Sequence, residues 1–484
     1  QFFGAAVAIA SGFSVGREGP GVHLGASSGS QLGLYLGLPN NSLRTLIGCG
    51  CAAAIAASFN TPLAAVIFTL EVFAFDYVLV NLAPVLVAAV TGTVMTRLVY
   101  GSNPAFSTPA VTLQNLPELV NLLLLGAVIG VLAALFTHCL EYFSSFQKSA
   151  PRWRRFLIAS IAMATIGVWL PDTLGIGYQT IDKVVAGNYL LVTLLLITLA
   201  KLLATTFCLG LGIPGGLIGP TLVIGATAGG TFYAFLIAAG VSSEELSGGD
   251  FYALLGMAAM MGATLQAPLA ALTSLLEMGQ DATILLPGMM TIVTATLVSR
   301  IAFGKESVFH RLLRVRGVNF ETTAMHRSLR EVGVLAAVDP SFEIWHREID
   351  AEQLEKICQS KVRWLILHDG KVPVAAVRQR SLADFMTLLK QNNLLPDEAA
   401  KALAANEPLN LPGLIAQFDS HTTDLAPPQL VTLSRVDSLA TLDEAHETMQ
   451  RDNTRLFYAQ SSHAHGLDGI YGLLPLESVE HYYR

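Results

Sequence analysis

Apolar positions in the first three hundred residues fall in long uncharged runs, not in short amphipathic stripes. Thr45 to Leu70, Tyr77 to Thr96, Leu119 to Leu140, Phe251 to Leu276 and Ala282 to Ser299 contain no Asp, Glu, Lys or Arg. A bilayer-spanning helix needs about 20 mostly apolar residues, so the stretch ending at Gly304 holds about a dozen helices, the size of a polytopic transporter or channel. From Leu202 to Ser243 no charge occurs for 42 residues, yet Gly210, Gly212, Pro214, Gly215, Gly216, Gly219, Pro220 and Gly225 interrupt the run. Backbone groups freed by such breaks cannot face lipid, so the broken helices must line protein or a water-filled cavity. Beyond about Ser328 the pattern changes. Short apolar runs, Trp364 to Leu367 and Leu456 to Ala459, alternate with helical patterns at Leu382 to Lys390 and Leu439 to Arg451, which predicts an α/β tail.

Composition sharpens that division. The whole chain is 52% hydrophobic and 13% charged, but only 22 of its charged residues lie in the first 304 and 43 in the last 180. Those densities, about 7% and about 24%, set a membrane part against a tail of ordinary soluble composition, and exclude a single soluble domain. A net charge of −7 leaves no basic stripe to neutralise phosphates, so nucleic acid is not an expected partner. Cys49, Cys51, Cys139, Cys208 and Cys358 have no metal-site or disulfide spacing, and no catalytic constellation marks an enzyme. Lys305, Arg311, Arg314 and Arg316 cluster at the membrane exit, which places the tail from about Val318 in the cytoplasm. The chain opens on Gln1-Phe2-Phe3-Gly4 without an initiator Met or signal peptide, and reads as a fragment preceded by further membrane helix.

The chain also repeats itself. Gly19-Pro20-Gly21-Val22-His23-Leu24-Gly25-Ala26 resembles Gly219-Pro220-Thr221-Leu222-Val223-Ile224-Gly225-Ala226, and Pro62-Leu63-Ala64-Ala65 resembles Pro268-Leu269-Ala270-Ala271. Nine residues after each of the latter prolines comes a glutamate, Glu71 and Glu277. Two ordered matches about 200 residues apart predict an internal duplication. In transporters such repeats meet near the midplane, where broken helices aim their N-termini at an anionic substrate.

Candidate chemistry sits at the breaks. Gly16-Arg17-Glu18-Gly19-Pro20 places two charges inside otherwise uncharged sequence, and an ionisable residue at membrane depth is a functional hypothesis by default. The flanking glycines let backbone N–H groups approach a ligand, and Pro20 suits a first helical turn. A helix N-terminus with open amides binds anions; Gly215-Gly216-Leu217-Ile218-Gly219-Pro220 repeats the arrangement without a charged side chain. The expected substrate is a small anion held by backbone dipoles, and Glu18, when ionised, competes for the same seat. Weaker polar signals are His23, read as satisfied by a neighbouring helix, Lys201, read as snorkelling from a helix end, Glu277, read as a buried helix contact, and Asp76, read as interfacial.

These motifs, with Asn60-Thr61-Pro62-Leu63-Ala64 leading to Glu71, resemble the CLC family of chloride channels and proton/chloride exchangers, from Gln1 to about Gly317. The resemblance implies an all-α polytopic membrane domain built as an inverted repeat of tilted, broken helices, and a homodimer in the lipid bilayer with one chloride path per subunit. It makes Glu18 the gating glutamate and places anion contacts on Gly16, Arg17, Glu18 and Gly19 and on the backbone of Leu217 and Ile218. Its serine-bearing motif would precede Gln1. Three positions depart from the family. Ile218 stands where Phe is usual, Phe309 where a pore Tyr is usual, and Val72 at the proton-relay position, which exchangers fill with a glutamate and channels commonly with Val. Passive or uncoupled chloride permeation is therefore expected, against a proton-coupled exchanger with a relocated relay and, far behind, an unrelated ion-coupled transporter. Pro20 fits the chloride branch better than a fluoride-selective one.

The tail is similar to a cytosolic α/β CBS-domain pair. The expected organisation is 1–317 membrane domain, 318–395 degenerate first CBS-like domain, 396–428 linker and 429–484 second CBS-like domain. Some CBS pairs bind adenine nucleotides through an acidic residue. Glu477 is the candidate here, set against a structural, dimerising role for the pair; no cofactor is required.

Overall fold

The computed structural model describes residues 1–73, 79–101, 113, 115–145, 151–279, 281–315, 317, 324–392, 394–418, 427–461 and 464–482. Asp76, Arg316 and residues 318–323 at the expected domain boundary lie outside them. The chain divides into two units, 1–36 with 43–321, and 37–42 with 322–484.

The first unit is helical and duplicated. Helices α1 (Phe2–Ala10), α2 (Glu18–Tyr35), α3 (Asn40–Phe59) and α4 (Pro62–Phe73) are followed by α5 (Leu79–Tyr100), α6 (Glu118–Ser145), α7 (Arg152–Trp169) and α8 (Tyr178–Val185). Then α9 (Leu191–Gly210), α10 (Ile218–Ala238), α11 (Gly249–Leu265) and α12 (Pro268–Gly279) repeat the first four, before α13 (Leu285–Leu297) and α14 (Val308–Val315). Among the described residues, six stretches are long and apolar enough to cross a membrane: α3, Leu82–Tyr100, α6, α9, α10 and Ala282–Ala302. The breaks match in detail. Gly12 at φ 86° and Gly212 at φ 88° turn the chain out of α1 and α9, a left-handed conformation that only glycine adopts without strain. Asn60 at φ 60° and Gln266 at φ 56° end α3 and α11 just ahead of Pro62 and Pro268, where the residue before proline is kept out of the helical region.

Close packing repeats as well. A Cβ at Gly25 would come within 2.2 Å of the Gly50 carbonyl oxygen, and one at Gly225 within 2.3 Å of the Gly256 oxygen. Helices α2 and α3, and equally α10 and α11, therefore meet backbone to backbone, the small-residue contact that replaces hydrophobic driving force between membrane helices. The two halves exchange bonds reciprocally: Gly16 N–H donates to Gly216 O and Gly216 N–H to Gly16 O, each at 2.7 Å. Glu71 accepts from the Leu269 and Ala270 amides at 3.2 and 2.7 Å, while Glu277 accepts from Leu63 and Ala64 at 2.9 and 2.7 Å. Such exchange is what a local two-fold axis produces, as an inverted repeat requires.

The second unit carries one motif twice. After α15 (Ala324–Glu331), strand β1 (Phe342–His346), the short β2 (Glu348–Ile349), α16 (Ala351–Gln359), β3 (Trp364–Asp369), β4 (Val372–Arg378) and α17 (Gln379–Gln391) follow in order. Strand β1 pairs parallel with β3, and β3 antiparallel with β4. Farther on, β7 (Ser434–Asp437), α20 (Leu442–Asp452), β8 (Leu456–Gln460), β9 (Ile470–Pro475) and α21 (Leu476–Glu480) repeat this βαββα order, β7 parallel to β8 and β8 antiparallel to β9. Both middle strands slip register near their ends, at Leu367/His368 and Ala459/Gln460. Both crossover helices start in a capping box, Asp350 with Gln353 and Thr441 with Glu444.

The segment 396–428, expected as a linker, is folded over much of its length. It holds α18 (Asp397–Ala405), β5 (Leu409–Asn410), which pairs with β2, and α19 (Leu411–Gln417). Ala399, Leu411, Leu414, Ile415 and Phe418 are buried with Leu365, Val377 and Phe385. The Pro and Asn residues that signalled a loop act instead as ends of elements: Asn410 caps α19, with Pro412 in its first turn. Strand β6 (Val431–Thr432) then pairs with β4.

Candidate anion site

The site forms where the two broken helices face each other. Arg17 is the N-cap of α2, at φ −87° and ψ −19°, and Leu217 the N-cap of α10, at φ −106° and ψ −17°. Each loop arrives through glycines, and the Gly16–Gly216 pair joins them. A Cβ at Gly19 would lie 2.9 Å from Gly216 Cα, and one at Gly216 2.6 Å from Gly19 N. The glycine content of both motifs is thus a requirement of their mutual approach.

Glu18, the first residue of α2, is fully buried. Its Oε2 accepts from the Gly219 amide at 3.2 Å, and its Oε1 accepts from the Tyr178 hydroxyl. The carboxylate of the first repeat therefore rests on the helix N-terminus of the second, where partial positive charge favours an anion. A Cβ at Gly16 would lie 2.3 Å from Oε2, and one at Gly219 3.2 Å from both oxygens. The Arg17 side chain is exposed, donates to Ser58 O at 3.3 Å, and lies 5.3 Å over the Tyr178 ring.

Of the residues named from sequence, the structure brings Gly16, Glu18 and Gly19 together with the start of α10. The amide on the carboxylate is that of Gly219, not of Leu217 or Ile218, whose side chains are buried in the core. Phe309 is the second residue of α14 and packs half-buried on the core of the membrane unit. Val72 is buried in α4. His23 is exposed on α2, contrary to a satisfied helix contact. Lys201 is also corrected. Instead of snorkelling it is fully buried and donates to Thr173 O at 2.9 Å and Gly175 O at 2.7 Å. Lys201 stands out in the sequence only as a lone charge, without its partners, and Tyr178 carries no sequence signal, because no motif surrounds it and its partner is far along the chain.

In the second unit, Glu477 is exposed in the first turn of α21 and pairs with Arg378 at 3.4 Å. His326, Asp443 and Glu447 bring potential metal-ligand atoms within 4.8 Å of one another. Asp443 is nevertheless engaged by His326 Nδ1 and by Arg330 Nε at 2.7 Å, and that guanidinium already supplies the cation.

Residues 1–300 match the family described as Voltage gated chloride channel. The chain is similar to the H(+)/Cl(-) exchange transporter ClcA of Vibrio cholerae serotype O1, 30% identical over 328 residues covering 65% of this chain and 69% of the relative. A slow cyanobacterial Cl-/H+ antiporter superposes with TM-score 0.57 at 25% identity, over 63% of this chain and 73% of that one. A eukaryotic CLC transporter superposes with TM-score 0.54 over 96% of this chain and 77% of that one; at 17% identity this likeness concerns the fold alone.

Proposed function

The chain belongs to the CLC family of voltage-gated chloride channels and transporters, and from that membership we propose that it passes chloride through a path gated by Glu18, without obligatory coupling to protons. Chloride transport by a multi-pass membrane protein follows from the family. The observation that carries the gate is the Glu18 carboxylate seated on the α10 N-terminus, an anionic side chain where a permeating anion would bind. For chloride to take that seat the side chain must swing out, and protonation weakens its hold by removing the charge the amide favours.

Uncoupled permeation rests on Val72. The position next to Glu71 is buried in α4 and cannot titrate, and the Glu71 carboxylate is engaged by two amides of α12. Coupled exchange is the second reading, favoured by the names of the Vibrio cholerae and cyanobacterial relatives; it requires a relay elsewhere. Purified protein in liposomes under crossed chloride and pH gradients separates them. The expected result is dissipation of the chloride gradient with no uphill proton movement, and Glu18→Ala is expected to raise flux several-fold and flatten its pH dependence. Proton uptake driven by chloride in a Glu18-dependent way would establish exchange instead.

The same reading includes a homodimer, with the second unit in the cytoplasm. Its two βαββα halves support a CBS-like pair whose role is structural.

A further inference from the structure

We propose that Tyr178 is the latch of the gate and that Lys201 is the residue that positions it. The inference deepens the reading of Glu18 as gate and rests on it. Tyr178 opens α8, directly after Gly177, which N-caps the helix at φ 91°. Behind this turn lies the Lys201 ammonium, fully buried in α9, with Thr173 O and Gly175 O as acceptors. A buried ammonium is costly unless it is fully engaged; here both bonds go to the five-residue approach to Tyr178. A Cβ on Gly177 would stand 3.1 Å from Nζ, so the turn lies directly against the ammonium. Helix α9 also leads into the 211–217 break, so one helix anchors both the latch and the loop that carries the anion seat.

Tyr178 and Gly219 divide the carboxylate between them, the phenol on Oε1 and the amide on Oε2. The amide serves any anion placed on the α10 N-terminus. The phenol adds a second donor that rewards the ionised carboxylate specifically, since hydrogen bonds to a charged acceptor are about twice as strong as neutral ones. Arg17, 5.3 Å over the ring, also contacts the phenol. Tyr178 therefore adds to the hold on the seated carboxylate. Without its hydroxyl, the ionised, seated form loses a donor that the neutral form needs less, so protons open the gate more readily and half-activation moves to higher pH.

The test is chloride flux from liposomes as a function of pH for wild type, Tyr178→Phe, Glu18→Gln and the double variant. Tyr178→Phe is expected to move half-activation up by about one pH unit, a tenfold change in the proton concentration required. With Glu18→Gln, flux should be independent of pH whether residue 178 is Tyr or Phe. Lys201→Met should shift half-activation in the same direction as Tyr178→Phe, and add nothing to it when combined. Should that buried substitution not survive purification, Gly177→Ala displaces the same turn and is read in the same way. For Tyr178 the safeguard is 3-fluorotyrosine, a stronger donor of nearly the same size, which should move half-activation to lower pH. A wild-type titration for Tyr178→Phe, with Glu18→Gln still pH-independent, overturns the latch and leaves the gate standing. An effect of Tyr178→Phe that persists in Glu18→Gln overturns it too. If Glu18→Gln retains wild-type pH dependence, the gate reading itself fails and the latch with it.

Discussion

Gly16 shows how finely the seat is cut at the level of single residues. A methyl group there would meet Glu18 Oε2 at 2.3 Å, whereas its contacts with Pro220 and Gly216 O would be 3.1 and 3.2 Å, distances that small shifts relieve. Gly16→Ala is therefore expected to evict the carboxylate and not to unfold the loop, at an overpacking cost of about 1–3 kcal/mol in stability. Chloride flux at high pH should rise toward that of Glu18→Ala, checked in the same liposomes. Glu18 and its glycines were legible in the sequence because an acid at a helix break stands out where charge is otherwise absent. The Gly219 donor was not legible: with Leu217 as N-cap, Gly219 is the second helical residue, whose amide is among those that an N-cap acceptor normally binds. Tyr178 was not legible at all. It meets Glu18 across 160 residues of chain, and nothing local distinguishes it from any aromatic at the start of an amphipathic helix.

At the scale of elements, the two short helices α4 and α12 owe their ends to each other. Each begins at a proline, leaving first-turn amides unpaired, and each receives the carboxylate that closes the other's sequence repeat. Capping by a carboxylate contributes about 1 kcal/mol, with a further 0.3–1 kcal/mol from the helix dipole. Glu71→Ala and Glu277→Ala are accordingly expected to lower stability by similar amounts, about 2 kcal/mol each, read from thermal melts of the purified protein in detergent. Neither should abolish the pH dependence of flux, which the proposed gate assigns to Glu18. A selective loss of proton-dependent behaviour in Glu71→Ala, with the melt unchanged, would move Glu71 from a cap to a relay. The repeat that predicts this symmetry was readable from spacing alone, Pro to Glu nine residues apart in both copies. The mutual exchange was not, since spacing says nothing about which copy a side chain turns toward. The folded interior of 396–428 was missed for a related reason: Pro and Asn terminate elements as readily as they build loops.

Across the whole molecule, the uneven distribution of charge acquires a physical account. A path for a small anion through a low-dielectric medium can be built from helix N-termini, and on the proposed reading the membrane unit needs few charged side chains for it because backbone amides supply the seat. The second unit has the opposite character, with charges in pairs on the surface of two small α/β halves. Glu477 belongs to that set. Its side chain is 81% exposed and paired at 3.4 Å with Arg378, itself 60% exposed, an arrangement worth little in water. A carboxylate that held ribose hydroxyls would need to face a walled pocket, where an unpaired acceptor is costly and therefore selective. Titrating the full-length protein with ATP in a calorimeter is thus expected to give no heat at millimolar nucleotide, and chloride flux should be unchanged by ATP. Saturable heat that vanishes in Glu477→Ala would turn the paired α/β halves from a structural element into a nucleotide sensor.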